Sequence, residues 1–303
     1  MDHRGIIASL TVEQRRDLTR KSDAKGLWAL AIHCGAIVLI GSVIATRATA
    51  YWPLLLPVQG ILIIFLFTLL HETIHRTAFR TPLLNDCVAH VCGFLIGVQP
   101  EWFRYFHFAH HRHTQDPDKD PELATPKPDT WWRYVVHVSG IHIWRSGAST
   151  LFKNAFLGCD DEFVPATGRR KVVLEARVIL MLYFLLLASI VVFDLTVLLW
   201  VWIIPVVLGQ PFLRLYLLAE HGRCPFVSNM LHNSRTTFTN ALIRRLAWNM
   251  PYHAEHHAYP GVPFHQLPRF HDVVKPHLTE VEEGYSRFHA NYVAKFSKES
   301  PNP

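Results

Sequence analysis

The sequence predicts an all-α polytopic membrane protein with four transmembrane helices in two hairpins, interfacial helices, and a cytosolic histidine-rich cap. Three observations predict it. Long apolar blocks occur in pairs, residues 27–46 with 52–70 and residues 178–193 with 195–218, and about 20 apolar residues cross a hydrocarbon core. Basic residues flank the same ends of these blocks, which marks the side held in the cytosol. Histidines at helical spacing follow the second block, and His221 follows the fourth. An even number of crossings returns the chain to its starting side at both points.

Composition narrows the class. Half of the 303 residues are hydrophobic (50%), and the apolar excess is concentrated in those blocks, which excludes an ordinary soluble helical enzyme. The net charge of +6 is not gathered into a stripe with base-stacking aromatics, so no nucleic-acid partner is expected and topology accounts for the charge. Cys34, Cys87, Cys92, Cys159 and Cys224 form no CxxC pair and read as buried thiols of a reduced compartment. Residues 1–25 lack the apolar core of a signal peptide, so both termini are expected in the cytosol. Residues 1–303 read as one domain: a cytosolic segment over 1–26, transmembrane and interfacial helices over 27–218, and the cap over 219–303.

Arg15, Arg16, Arg20, Lys21 and Lys25 precede the first block and hold that side in the cytosol. Only residues 46–51 separate it from the second, so the two form a hairpin that returns at HETIH. Residues 85–98 are too short for a full crossing and carry His90, which fits a re-entrant helix; Gly93-x-x-x-Gly97 would admit a close neighbour. Residues 105–113 carry HFAHH. In the following DPDKDPE, Asp116, Asp118 and Asp120 imitate a calcium loop. Pro121 at the turn-glycine position and Lys127 at the bidentate-glutamate position exclude it. Residues 131–156 mix aromatics with Arg133, Arg145 and Lys153, as a helix lying in the interface does. Gly168-Arg-Arg-Lys171 marks the cytosolic side again, and the second hairpin turns near Asp194. The outer loops carry Arg47 alone, and no GxGxxG or P-loop is present.

The chemistry is carried by histidine. Within WNMPYHAEHHAYPGVP, residues 248–263, His253, His256 and His257 stand at i, i+3 and i+4 and share one helical face. His71 with His75, and His107 with His110 and His111, repeat that logic upstream; His221 leaves the fourth block as His71 leaves the second. Nine imidazoles exceed the roughly four to six ligands of one ion and suit two. Imidazole alone does not choose among iron, zinc and copper. Two irons can reduce dioxygen and remove hydrogen from an unactivated C–H bond, which redox-inert zinc cannot, and lipid-soluble substrates supply such bonds. His33, His90, His113 and His265 stand outside these groups and read as ordinary structural histidines, His113 as a supporting residue at most.

The pattern HxxxH, HxxHH, HxxHH over two membrane hairpins resembles the membrane-bound fatty acid desaturase family, with its relatives the alkane hydroxylases and carotenoid ketolases and hydroxylases. The resemblance covers about residues 50–275 and is most specific from Asn249 through Pro263 to Leu267-Pro268. It implies two iron ions held by the nine histidines, dioxygen as co-substrate, a substrate channel between the spans, and Asn249 as a water-mediated partner of the centre. His253 stands where the front-end desaturases carry Gln, which argues against that subgroup. No electron-transfer domain is fused, so electrons are expected from a separate donor protein, ferredoxin-like or other, docking on the basic cytosolic face. Glu72, Glu255 and Asp120 are candidates to accept from ligand Nδ1–H groups. Trp102, Arg104 and Arg214 read equally as headgroup contacts and as interfacial anchors.

Two other classes account for less of the pattern. His71-Glu72-x-x-His75 satisfies HExxH, so an intramembrane zinc protease with Glu72 as base is the remote alternative, but it leaves both HxxHH boxes without a purpose. A metal transporter would show ionisable residues at the centres of its spans, and few are present. The expected activity is desaturation of a fatty acyl chain, with hydroxylation or ketolation of an alkyl or carotenoid substrate as the alternative.

Overall fold

The computed structural model describes residues 2–296. Residue 1 and residues 297–303, on which the expected placement of the two termini falls, lie outside that range. Among the described residues four helices are long and apolar enough to cross a membrane: Val12–Thr46, Trp52–Ile74, Ala166–Val192 and Leu199–His221. Their outward faces are apolar, with Phe184 70% and Val191 75% exposed, as contact with lipid rather than water requires.

Helix α1 (His3–Ser9) and helix α2 (Val12–Leu18) precede α3 (Asp23–Thr46), which ends where Arg47 turns left-handed at φ 50°. The polar N-terminal segment folds back on the body of the protein. Ile6, Leu10 and Leu18 join the main core, and Gln266 Nε2 donates to the Asp17 carbonyl at 2.8 Å. The second apolar block is two helices, α4 (Leu56–Ile64) and α5 (Leu66–Ile74), interrupted at Phe65.

The element expected to be re-entrant is a bent pair, α6 (Pro82–Ile96) and α7 (Pro100–His113), turning by 99°. Gly93 serves that bend and not a contact with a distant helix: a Cβ there would stand 2.5 Å from the Val98 carbonyl oxygen and 2.6 Å from Pro100 Cγ. The expected interfacial helix is also divided, into α8 (Trp131–Ser139) and α9 (Ile141–Phe152), at left-handed Gly140. Helix α10 (Ala166–Val192) begins earlier than its apolar block and takes in the Arg-Arg-Lys run. Asp194 at φ 51° makes the predicted turn, and a π-helical segment leads into α11 (Ile204–His221).

Close contact between α4 and α11 sets the level of the site. A Cβ on Gly60 would lie 2.0 Å from the Pro205 carbonyl oxygen, and one on Gly209 would lie 2.2 Å from that of Gly60. Only glycine permits backbones to approach so closely. His71 lies about three turns beyond Gly60, and His221 about three turns beyond Gly209. The two histidines therefore emerge at similar depth.

The remaining helices are α12 (Met230–Asn233), α13 (Ala241–Leu246), α14 (His253–Ala258), α15 (Leu267–Val274) and α16 (Tyr285–Val293). Two-residue strands β1 (Thr236–Thr237) and β2 (Val281–Glu282) pair in parallel among them. All five cysteines are free; Cys92, Cys159 and Cys224 are buried, whereas Cys34 is half-buried and Cys87 exposed, which corrects the expectation for those two.

Candidate metal centre

Helix α5 carries His71 on its buried face and ends at His75, where Arg76 turns left-handed at φ 56°. Arg76 and Arg104 both reach Asp86, at 2.9 and 3.0 Å, and so tie the end of α5 to α6 and α7. Helix α7 presents His107, His110 and His111. The third box forms α14, every residue of which is buried. It is aimed by consecutive left-handed residues, Trp248 and Asn249. Trp248 also donates from Nε1 to His33 Nδ1 at 3.2 Å, and His33 Nε2 meets the Leu62 carbonyl at 2.8 Å. His33 is thus a structural link between the cap and two spans.

Among the described residues the nine histidines fall into two groups. His71, His75, His107, His111 and His256 place one donor nitrogen each within 4.8 Å of one another, as do His110, His221 and His257. His253 joins the second group, its Nε2 lying 2.9 Å from His221 Nε2. Other facing Nε2 pairs stand at 2.9 Å (His107 and His111), 3.2 Å (His111 and His256) and 3.1 Å (His110 and His221). Metal–imidazole bonds of about 2.0–2.1 Å put neighbouring ligand nitrogens roughly 3 Å apart. The spacing therefore fits metal ions.

Unpartnered atoms make the same point. Both ring nitrogens of His71, and Nε2 of His75 and of His257, are buried without a hydrogen-bond partner. Each such group costs about 1–3 kcal/mol if left unmet, and a bound metal would meet one nitrogen of each ring. Burial, reinforced by neighbouring histidines, holds His253, His256 and His257 well below the ordinary imidazole value. They are neutral at physiological pH, the form that ligates.

In the four-histidine group three of the outer nitrogens are anchored. His110 Nδ1 meets Asp120 Oδ1 at 2.9 Å, His221 Nδ1 the Asn233 carbonyl at 3.2 Å, and His257 Nδ1 the Thr114 hydroxyl at 3.1 Å. His253 Nδ1, 3.4 Å from Glu220 Oε1, makes no hydrogen bond. The three hydrogen bonds fix tautomer and ring orientation and leave Nε2 of His110, His221 and His257 facing inward. Thr114, Asn233 and Glu220 have no motif around them. Only the geometry finds them.

Other candidates have different partners. Glu72 Oε2 accepts from the Thr77 hydroxyl at 2.8 Å and the Phe264 amide at 3.2 Å. Glu255 accepts from the Thr236 hydroxyl at 2.6 Å and pairs with His271 Nδ1 at 2.5 Å. Asn249 donates to the Phe264 carbonyl at 3.0 Å, and Trp102 to Asp161 at 2.7 Å. His113 is in neither group.

A cavity of about 1350 Å³ opens onto the histidines. That exceeds the roughly 300–1,000 Å³ of an ordinary ligand pocket. Phe67, Phe103, Phe106, Tyr183, Trp202 and Leu213 are among its walls; His71, His107, His110, His253, Glu122 and Glu220 line its polar part, and Arg214 borders it. An apolar chain entering along those walls would reach both groups.

Apolar spans that deliver histidine boxes to one buried cluster define a membrane oxidoreductase. Residues 48–289 match the fatty acid desaturase family, and the chain belongs to that family of enzymes. It is also similar to the dihydrorhizobitoxine desaturase of Bradyrhizobium elkanii, 27% identical over 293 residues, covering 86% of this chain and 77% of that relative.

Proposed function

We propose that the protein desaturates a fatty acyl chain, using dioxygen at a two-iron centre held by the nine histidines. The observation that supports this most is the convergence of two separate groups of donor nitrogens on one apolar cavity. His71, His75, His107, His111 and His256 would hold one ion, and His110, His221, His253 and His257 the other. When bound, two irons supply reduction of dioxygen and abstraction of hydrogen from an unactivated C–H bond.

The chain's own residues do the rest. The aromatic walls take up the acyl chain and exclude water, which protects a strongly oxidising site from side reactions. Asp120, Asn233 and Thr114 fix the histidine tautomers. Four spans in two hairpins, with interfacial helices and a cytosolic cap, put the site on the cytosolic face, where a separate electron-donor protein docks. Desaturation is preferred over hydroxylation because the named relative is a desaturase.

Lipid mass spectrometry of cells with and without the gene tests the activity. Acyl products lacking two hydrogens are expected; products gaining one oxygen would establish hydroxylation instead. His256→Ala is expected to abolish the product while membrane insertion persists, and one zinc per chain with peptide cleavage would overturn the oxidase.

A further inference from the structure

We infer that Glu122 is a carboxylate ligand of the four-histidine group, supplying there the fifth donor that the other group obtains from histidine alone. The inference rests on the two-metal reading above. Glu122 lies in the 3₁₀ turn Pro121–Ala124, and Asp120 sets its place. Asp120 Oδ1 accepts from the Glu122 amide at 2.9 Å and meets His110 Nδ1 at 2.9 Å, while Oδ2 accepts from the Gln115 amide at 2.9 Å. The residue that orients the outer nitrogen of His110 thereby carries Glu122 round to the inner one. Glu122 Oε2 stands 3.3 Å from His110 Nε2, which is itself 3.1 Å from His221 Nε2. Its separation from His110 Nε2 matches that between His110 and His221.

The other oxygen, Oε1, is engaged by Lys127. Lysine has no acceptor and cannot compete as a ligand while protonated; it fixes the carboxylate and leaves Oε2 directed at the histidines. The Glu122 side chain is 32% exposed and borders the cavity beside His110 and His253, so the position is reachable from the substrate side. Charge argues for it as well. Nine neutral imidazoles bring no anion to two dications in a buried site, and a carboxylate brings a negative charge with a hard oxygen donor suited to iron.

Iron per chain, with Mössbauer spectra of the ⁵⁷Fe-loaded full-length protein in detergent, tests this without turnover. The wild type should hold two irons. Glu122→Gln should lose about half of the iron and keep the signal of the five-histidine site, which also reports that the fold survives. Lys127→Met should keep both irons. Two irons with an unchanged spectrum in Glu122→Gln would overturn the inference alone, as would equal iron loss in Lys127→Met, which would make the ion pair the requirement. If Glu122→Gln loses both irons, Glu122→His decides: return of the second iron through a new donor supports ligation, and no return overturns it. A wild type without two irons overturns the two-metal reading and this inference together.

Discussion

The Asp120 carboxylate lies 2.9 Å from His110 Nδ1, and both side chains are almost wholly buried. An imidazole that donates to a buried carboxylate keeps its other nitrogen unprotonated and more basic. Asp120→Asn should therefore lower activity about tenfold to a hundredfold and hasten loss of iron to a chelator. Wild-type turnover and chelator resistance would remove Asp120 from the support of the centre.

The neutral histidines make the metal-free protein acid-sensitive. His75 is pushed down from 6.5 to about 3 by burial, with the Arg104 charge adding to it, and His253, His256 and His257 shift the same way. Below the ordinary value the unfolded chain binds more protons than the folded one, so stability falls as pH drops through about 6.5. For His75 the fall continues toward about 3. Thermal unfolding of chelator-treated protein should show a lower midpoint at about pH 5.5 than at about pH 7.5. Equal midpoints would mean that these imidazoles are not buried neutral.

The three histidine boxes were legible in the sequence because helix geometry makes i, i+3 and i+4 neighbours, whereas their division into a five-histidine and a four-histidine group was not. Three boxes together with His221 at the end of α11 need no knowledge of the fold beyond an even count of spans. What was not legible depends on contacts between distant segments. Glu255 looks like a partner of its own box, yet its carboxyl serves His271 and Thr236. Asn233 meets His221 through a backbone carbonyl, which any residue type would offer. The breaks at Phe65 and Gly140 fall inside continuous apolar or amphipathic runs. At Gly140 a Cβ would stand 2.3 Å from Gln210 Cγ, a constraint written in another helix.

Chain-length selection should respond to Gly147, which borders the cavity from α9. A Cβ there would meet nothing nearer than the Gly97 carbonyl oxygen at 3.9 Å. Gly147→Leu should fit without disturbing the helix and fill part of the cavity. Stability should hold or rise by about 0.5–1 kcal/mol, since glycine is the poorer helix former. Product from the longest acyl chains should fall relative to shorter ones, read from the product profile. An unchanged profile would place the acyl chain elsewhere.

The contact between Gly60 and Gly209 should matter to the metal although it lies about three turns away. A side chain at Gly60 meets the backbone of α11, at 2.0 Å from the Pro205 oxygen and 2.8 Å from the Gly209 nitrogen. Backbone cannot rotate aside as a side chain can, so α4 and α11 must separate. That separation shifts His71 and His221 relative to each other, and they belong to different histidine groups. Gly60→Leu should cost about 3 kcal/mol and release iron. Gly35→Leu, on α3 where nothing lies within 4 Å, should do neither. Thermal unfolding with iron analysis of both variants checks this. Full iron in Gly60→Leu would show that the centre is positioned by the cap and not by the crossing of the spans.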